Sequence, residues 1–565
     1  MSTLIRKLFA SRLCLVIVLV LVIAVAPAAF AIGPYVVGSS NTVTADPSVP
    51  RPATTPCVVT LFSDYTFDNN YNLNPFSYTP PEDCPGPWAK VVLVVDISVT
   101  AGNQFDRTAN IWLGGTNIFF GTTSEPGATL APSWHVENDL TDYSPLFTVA
   151  QTGSIYLGNT VNSTYTSIQS ATATLEFYPL EKWKPAPVTA NVVLPLSSGP
   201  LGGTVTLNTS ANTLAGTFTL PTNIERAYLD VYSQPQIGDE FWYTCVPNDV
   251  ASELESCGNT GFRETEITID GQPAGVAPVS PWIFTGGIDP FLWFPVPGVQ
   301  TLNFVPYRVD LTPFAGVLSN GQQHTVSLSV FNANYWFSDT ATLLLYLDPD
   351  AKQVSGAVTK DTLAAAPTPV VSENLNVTSS NITGTVNVTS NRNFVISGYV
   401  NTSHGRVTTT LQQNLQFAND QKYNITTPAY VPYTQDIQVN TSVFSLTTVA
   451  GPNGPSTTYS RYIQFPATID YDEFTASNGD IAATTKVSQN YQDQRLTTVG
   501  FWPVAFSQVT NAGQYQDTLD YITFVNSNQS ANQHYNAADS NGHFYFCDVQ
   551  DANNELTKFS PTCTK

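Results

Sequence analysis

Asp106 and Arg107 stand side by side in the run GNQFDRTANIWLGGTNIFF that begins at Gly102, a carboxylate and a guanidinium set between Phe105 and Trp112. Further along, Asp239 and Glu240 form an acidic pair in GDEFWY (238–243), and Arg263 and Glu264 are neighbours in GFRETEITIDGQ (261–272). Two carboxyl groups can divide the proton transfers of a reaction when their surroundings separate their pKa values. Adjacent acids repel, which drives one of them toward its protonated, proton-donating form. A guanidinium offers a planar fork of donors to an amide or sugar oxygen. These residues point to acid–base chemistry on a polar substrate, with Asp106 as the first candidate and Glu240 or Glu264 as the second carboxyl group. Arg107 and Arg263 are the candidate orienting cations, although Arg263 and Glu264 alternate along a strand, so only one of them should face a cleft.

Other chemistries lack local support. His135, His324, His404, His534 and His543 are scattered, and there is no HExxH, GxSxG or phosphate-binding loop. Neither a metal nor an organic cofactor is expected.

The elements that must position these groups read as strands. One methionine in 565 residues, with 12% aromatic residues and abundant Thr, Val, Asn, Gly and Pro, favours short strands joined by turns. The expected class is all-β: two adjacent antiparallel β-sandwiches, then a third β-rich region. Residues 32–56 are Pro/Ser/Thr-rich and read as an extended arm. The first sandwich is expected over 57–185, with WAKVVLVVDISVTA (88–101) its clearest strand, and a proline-bearing segment leads into the second over 186–350. From 351 to 565 the composition turns Asn/Thr/Ser-rich, with period-two alternation and no catalytic-looking cluster.

Residues 1–31 form a separate unit, in which Arg6, Lys7 and Arg12 flank the apolar run LCLVIVLVLVIAV and Ala29-Phe30-Ala31 supplies small residues for cleavage. This reads as an export signal, the alternative being an uncleaved anchor, because the run is long. Removing its three positive charges takes the formal net charge from −22 to −25. That excludes nucleic acid and anionic membrane surfaces as natural partners. Beyond Cys14 an even set of cysteines remains, and their positions suggest local pairs, Cys57 with Cys84, Cys245 with Cys257 and Cys547 with Cys563, among the fifteen possible connectivities.

The blocks quoted above, together with IERAYLDVY (224–232), PWIFTGGIDPFLWFPV (281–296) and YRVDLTPFAGVL (307–318), closely resemble the plant and fungal peptide:N-glycosidase A family. QFDRTANIW also resembles the WDRYANVYV block of F-type peptide:N-glycosidases, whose aspartate is their principal catalytic acid group. The resemblance implies paired jelly rolls with the active site at their interface. It further implies a secreted amidase that removes N-linked glycans from asparagine in glycoproteins and glycopeptides, with an acidic optimum. In detail the second carboxylate departs from the F-type pattern, whose glutamate falls nearer Asn259, so Glu240 and Glu264 both stay open. For a sugar substrate, Trp112, Trp134, Trp242 and Trp293 offer flat faces, of which one or two are expected to be used, since tryptophan is more often core. Asn159 and Asn259 complete the candidate substrate contacts, while Glu125 and Glu137 read as a turn anchor and a structural ion-pair partner. The chain is expected to act as a monomer. Two rivals are a carbohydrate-binding cell-surface β protein, which would use the aromatics without the acids, and an endo-β-N-acetylglucosaminidase, which would leave one sugar on the peptide.

Overall fold

The computed structural model describes residues 35–563. The expected signal at 1–31, with Cys14, lies outside the described residues. No helix among the described residues is long and apolar enough to cross a membrane. The chain is built almost wholly from antiparallel strands, as its composition predicts.

In Trp88–Val99, Val91, Leu93, Val95, Ile97 and Val99 are all buried. This is the period-two placement that sends alternate side chains to one face. That strand lies in a four-stranded sheet in the order Cys57–Phe67, Gln169–Pro179, Trp88–Val99, Ser133–Asp139. The facing sheet runs Asn74–Tyr78, Gln151–Leu157, Thr108–Leu113, Thr116–Thr122, an order compatible with a jelly roll. Phe67, Phe119, Trp134, Phe147 and Phe177 fill the space between the sheets.

A second pair of sheets follows. One holds Val205–Leu207, Phe337–Leu347, Ile224–Pro235 and Tyr307–Asp310, with Val192–Leu196 added on Phe337–Leu347. The other runs Leu214–Thr219, Gln323–Phe331, Glu264–Ile269, Gln272–Pro278. Residues 355–559 form a 12-stranded sheet of long hairpins, in which Asn381–Thr402 pairs with Gly405–Thr426 along its whole length.

This large sheet is not an appendage. Its apolar face shares one continuous core with the second sandwich. The Phe417 ring lies 4.8 Å from Phe262, and Tyr515 lies 4.7 Å from Trp293. The three disulfides join Cys57 to Cys84, Cys245 to Cys257 and Cys547 to Cys563, the local pairing read from the sequence.

The described residues of the arm, 35–56, hold no strand of their own yet touch all three units. Gly38 N–H donates to Leu556 O at 2.7 Å and Leu556 N–H to Ser39 O at 2.8 Å, on the last strand of the large sheet. Val43 N–H donates to Pro295 O at 3.0 Å, and Arg51 pairs with Glu137 and Glu176 of the first sandwich. Val43 and Ala45 are fully buried along the way.

Candidate active site

The Gly114-Gly115 turn, with φ of 55° and 80°, joins Thr108–Leu113 to Thr116–Thr122 as a tight hairpin. Thr108 faces Thr122, and the pairing continues past the strand ends: Arg107 N–H donates to Thr123 Oγ1 and Thr123 N–H to Arg107 O, both at 2.8 Å. This register sets Asp106 beside Ser124 and Glu125. Glu125 is held in turn from the second sandwich, because its N–H donates to Thr285 Oγ1 at 2.8 Å and Thr285 Oγ1 donates to Thr123 O at 2.8 Å. Gly286 has φ +83°, and a Cβ there would overlap Glu125 Oε2, so glycine is required to admit the carboxyl group.

Glu240 arrives on the loop after Ile224–Pro235. Asp239, fully buried, fixes that loop: its Oδ2 accepts N–H groups of Asn334, Tyr335 and Trp336 at 2.7–3.0 Å. Its Oδ1 accepts Arg263 Nε at 3.0 Å and Nη2 at 2.9 Å. Arg263 then spends Nη1 on the carbonyls of Asn259, Thr260 and Phe262. The cation beneath the loop thus positions Glu240 by tying Asp239 in place.

Two cavities meet at these acids. One, of about 750 Å³, is lined by aromatic and aliphatic side chains including Tyr165, Phe241, Ile288, Phe291 and Phe294. The other, of about 650 Å³, is lined by Asn110, Tyr156, Ser198, Gln236 and Trp336 among others. Phe105, Asp106, Ile237 and Glu240 line both. The carboxyl groups therefore sit at the waist between an apolar and a polar chamber.

Enclosure by protein raises the Asp106 carboxyl to about 7, against the opposing pull of the Arg107 charge. Asp106 is half-buried, keeping some water-accessible surface where it lines the two cavities. Burial also raises Glu125 well above the carboxylate range, reinforced by the charges of Asp106 and Glu240, while the Asp106 backbone N–H opposes the rise. Three acids converge with a shared surplus of negative charge, so the site retains protons in mild acid.

Arg107 does not pair with Asp106 in an ordinary surface ion pair. Its Nη2 donates to Gln104 Oε1 at 2.9 Å, its guanidinium lies 5.8 Å from the centroids of both Phe105 and Tyr165, and its buried Nε has no hydrogen-bond partner among the described residues. Gln104 is itself held by Asn159 Oδ1, which accepts Gln104 Nε2 at 2.5 Å.

The other sequence candidates lie elsewhere. Glu264 is fully buried and accepts Arg392 Nη1 of the large sheet at 2.8 Å. It lines neither cavity. Arg263 is enclosed in the Asp239 pair, so neither member of the Arg263–Glu264 alternation faces the cleft. Of the four tryptophans, Trp134, Trp242 and Trp293 are core residues, and Trp112 lies beneath the polar chamber with no exposed surface. Asn159 supports Gln104, and Asn259 exchanges hydrogen bonds with Asn332. On this geometry Glu264→Gln is expected to keep kcat on an N-glycopeptide within about twofold of the parent, because removing a group remote from the reacting atoms leaves transition-state contacts intact. Steady-state kinetics on a soluble variant checks this.

Glu125, Gln104 and Trp336 belong to the site and escaped the reading of the sequence as such. For Glu125 a partial signal existed: counting outward from the Gly-Gly turn places Asp106 opposite residue 123, and the bulge between Ile111 and Trp112 moves it one residue on, to 124. Trp336 comes from a segment with no local motif, and only the sheet pairing of Phe337–Leu347 with Ile224–Pro235 brings it to Gln236.

The family model for peptide N-acetyl-beta-D-glucosaminyl asparaginase amidase A matches residues 46–363. The peptide-N4-(N-acetyl-beta-glucosaminyl)asparagine amidase A of Prunus dulcis is 31% identical over 395 residues, which cover 65% of this chain and 67% of that protein. Among solved structures, PNGF-II aligns with a TM-score of 0.35 at 11% identity, covering 52% of this chain and 66% of its own. PNGase F, a glycosylasparaginase from Flavobacterium meningosepticum, aligns with a TM-score of 0.33 at 15% identity, covering 52% and 96%. Those two scores are too low to superpose site on site. The family match spans both sandwiches and the waist where Asp106, Glu125 and Glu240 meet, and this chain belongs to the peptide N-acetyl-beta-D-glucosaminyl asparaginase amidase A family.

Proposed function

We propose that this chain hydrolyses the amide bond between an N-linked glycan and asparagine in glycoproteins and glycopeptides. The observation that carries the reading is the meeting of Asp106 and Glu240 at the junction of a polar and an apolar chamber, with Glu125 beside them on the apolar side, in a chain of this family. The scissile amide is itself a junction between a polyol and a peptide. Water adds to the asparagine Cγ, the C–N bond breaks, the side chain becomes aspartate, and the glycan leaves as a glycosylamine that hydrolyses afterwards.

Glu240 takes the proton of the attacking water. Asp106, in its protonated form, hydrogen-bonds the amide and delivers a proton to the departing nitrogen. The Arg107 guanidinium, which lines the polar chamber beside Asp106, supplies positive charge for the oxygen that gains charge in the tetrahedral intermediate. Glu125, kept neutral by burial, holds the Asp106 backbone and adds no further negative charge at the waist. The family match favours the amidase over the endoglycosidase, whose carboxyl groups must flank a sugar–sugar bond. The three disulfides support export to an oxidising compartment, with the N-terminal segment as signal.

The sign of the pH dependence follows from the Asp106 value. A group that acts protonated and titrates near 7 makes kcat/KM fall about tenfold per unit above about pH 7. A pH–rate profile tests this, and activity that instead rises through pH 7 would exchange the roles of Asp106 and Glu240. The reaction itself is tested by mass spectrometry of an N-glycopeptide treated in H₂18O. Conversion of asparagine to 18O-labelled aspartate is expected. A peptide that retains one GlcNAc would make the chain an endoglycosidase, and an unchanged glycopeptide a binding protein.

A further inference from the structure

Sugar hydroxyls require hydrogen-bond partners, and the 650 Å³ chamber offers Asn110, Ser198, Gln236 and Ser338 together with the Trp336 ring. The 750 Å³ chamber beyond the acids presents Phe241, Ile288, Pro290, Phe291, Phe294 and Phe524. It is poorly suited to a polyol and well suited to apolar side chains. Both chambers touch Asp106 and Glu240, so a bond held between those acids sends its two halves in opposite directions.

Phe524 belongs to the large C-terminal sheet, in the turn between Trp502–Asp520 and Val525–Asp539, outside the residues of the family match. Its φ is +54°, a left-handed conformation that bulky side chains rarely adopt. Its N–H donates to Asp520 O at 2.9 Å, and Asp520 Oδ1 accepts the N–H groups of Ile522 and Thr523 at 2.9 Å, which fixes the turn. The ring lies 5.4 Å from Phe291 and is 47% exposed toward the chamber mouth. The wall behind it is secured from the same sheet, where Gln529 Nε2 donates to Phe294 O at 2.9 Å. A strained turn that holds an aromatic ring over the chamber, on a sheet bonded to the chamber wall, gives that sheet a part in the site.

We propose that the apolar chamber seats the peptide side of the substrate and selects large apolar residues next to the glycosylated asparagine, with Phe524 of the C-terminal sheet as a specificity-determining residue. The assignment rests on the amidase reading. Its test uses synthetic glycopeptides that carry one common glycan on asparagine flanked by Phe or by Ser, with the parent protein and the variants Phe524→Ser and Phe291→Ser. The corresponding glycan-free peptides are titrated in parallel by calorimetry.

The parent is expected to prefer the Phe-flanked glycopeptide in kcat/KM by about tenfold or more, mainly through KM. In each variant that ratio is expected to fall below about threefold. Trp336→Ala, on the opposite side, should weaken binding of both glycopeptides alike and preserve the ratio. Hydrolysis with no flank preference, or a preference untouched by both variants, overturns the assignment while the amidase reading stands. If no glycopeptide is hydrolysed, the amidase reading fails, and calorimetry still decides the chamber. Binding of the Phe-flanked peptide that is lost in Phe524→Ser supports it, and equal binding of both peptides overturns it.

Discussion

Replacing Asp106 by Asn is expected to lower kcat/KM on an N-glycopeptide by about a thousandfold, within the range supplied by a positioned proton donor, without lowering stability. The two parts of this outcome have separate causes. An amide in place of the carboxyl group keeps the shape and the hydrogen bond but has no acidic proton to give. Stability should hold because burial pushes Asp106 up to about 7, so the native site already holds it largely neutral in mild acid. A folded pKa raised above the unfolded one means that stability is full below the unfolded value near 4 and is lost as pH rises from there through about 7, and the variant escapes that loss. Thermal unfolding of parent and variant should therefore favour the variant modestly at pH 5 and more strongly at pH 8. Retention of more than a few per cent of activity would reject Asp106 as the proton donor.

Arg263→Met is expected to fail differently, by destabilising the fold by about 3–5 kcal/mol, because it strands the fully buried Asp239 carboxylate without its cation. Chemical denaturation measures the loss. Had Arg263 gripped the sugar, the variant would keep its midpoint and show only a raised KM. The buried pair instead predicts lost stability with lost activity, since the same Asp239 holds the loop that carries Glu240. The double variant Asp239→Asn/Arg263→Met separates the charge penalty from the lost packing. It should be more stable than Arg263→Met alone, because the stranded charge is gone.

The sequence was most legible where one residue type has one physical use. Alternation in Trp88–Val99 marked a strand, and six cysteines at short separations marked three local bridges. Asp106 stood out because a charged pair among aromatics near a strand end is hard to spend in a core. Arg263 and Glu264 looked alike by the same standard, yet both are spent in buried ion pairs, with Asp239 and Arg392 respectively. Those partners lie 24 and 128 residues away along the chain, and no local pattern announces them. The tryptophans show the converse. Their residue type fits both a sugar platform and a core, and burial decided for the core, whereas Trp336, which does line a chamber, sits in an unremarkable loop.

The N-terminal arm ties the order of synthesis to the readiness of the enzyme. Thr42 reaches Ser124 beside Glu125, Val43 reaches Pro295 beside the apolar chamber, and Gly38 and Ser39 bond Leu556. Gly38 and Ser39 leave the ribosome long before Leu556 and must wait for it before they can be seated. The sandwiches can form as they emerge, but the latch across their seam closes fully only when residue 556 is in place, so the finished waist depends on the large sheet and not on the sandwiches alone.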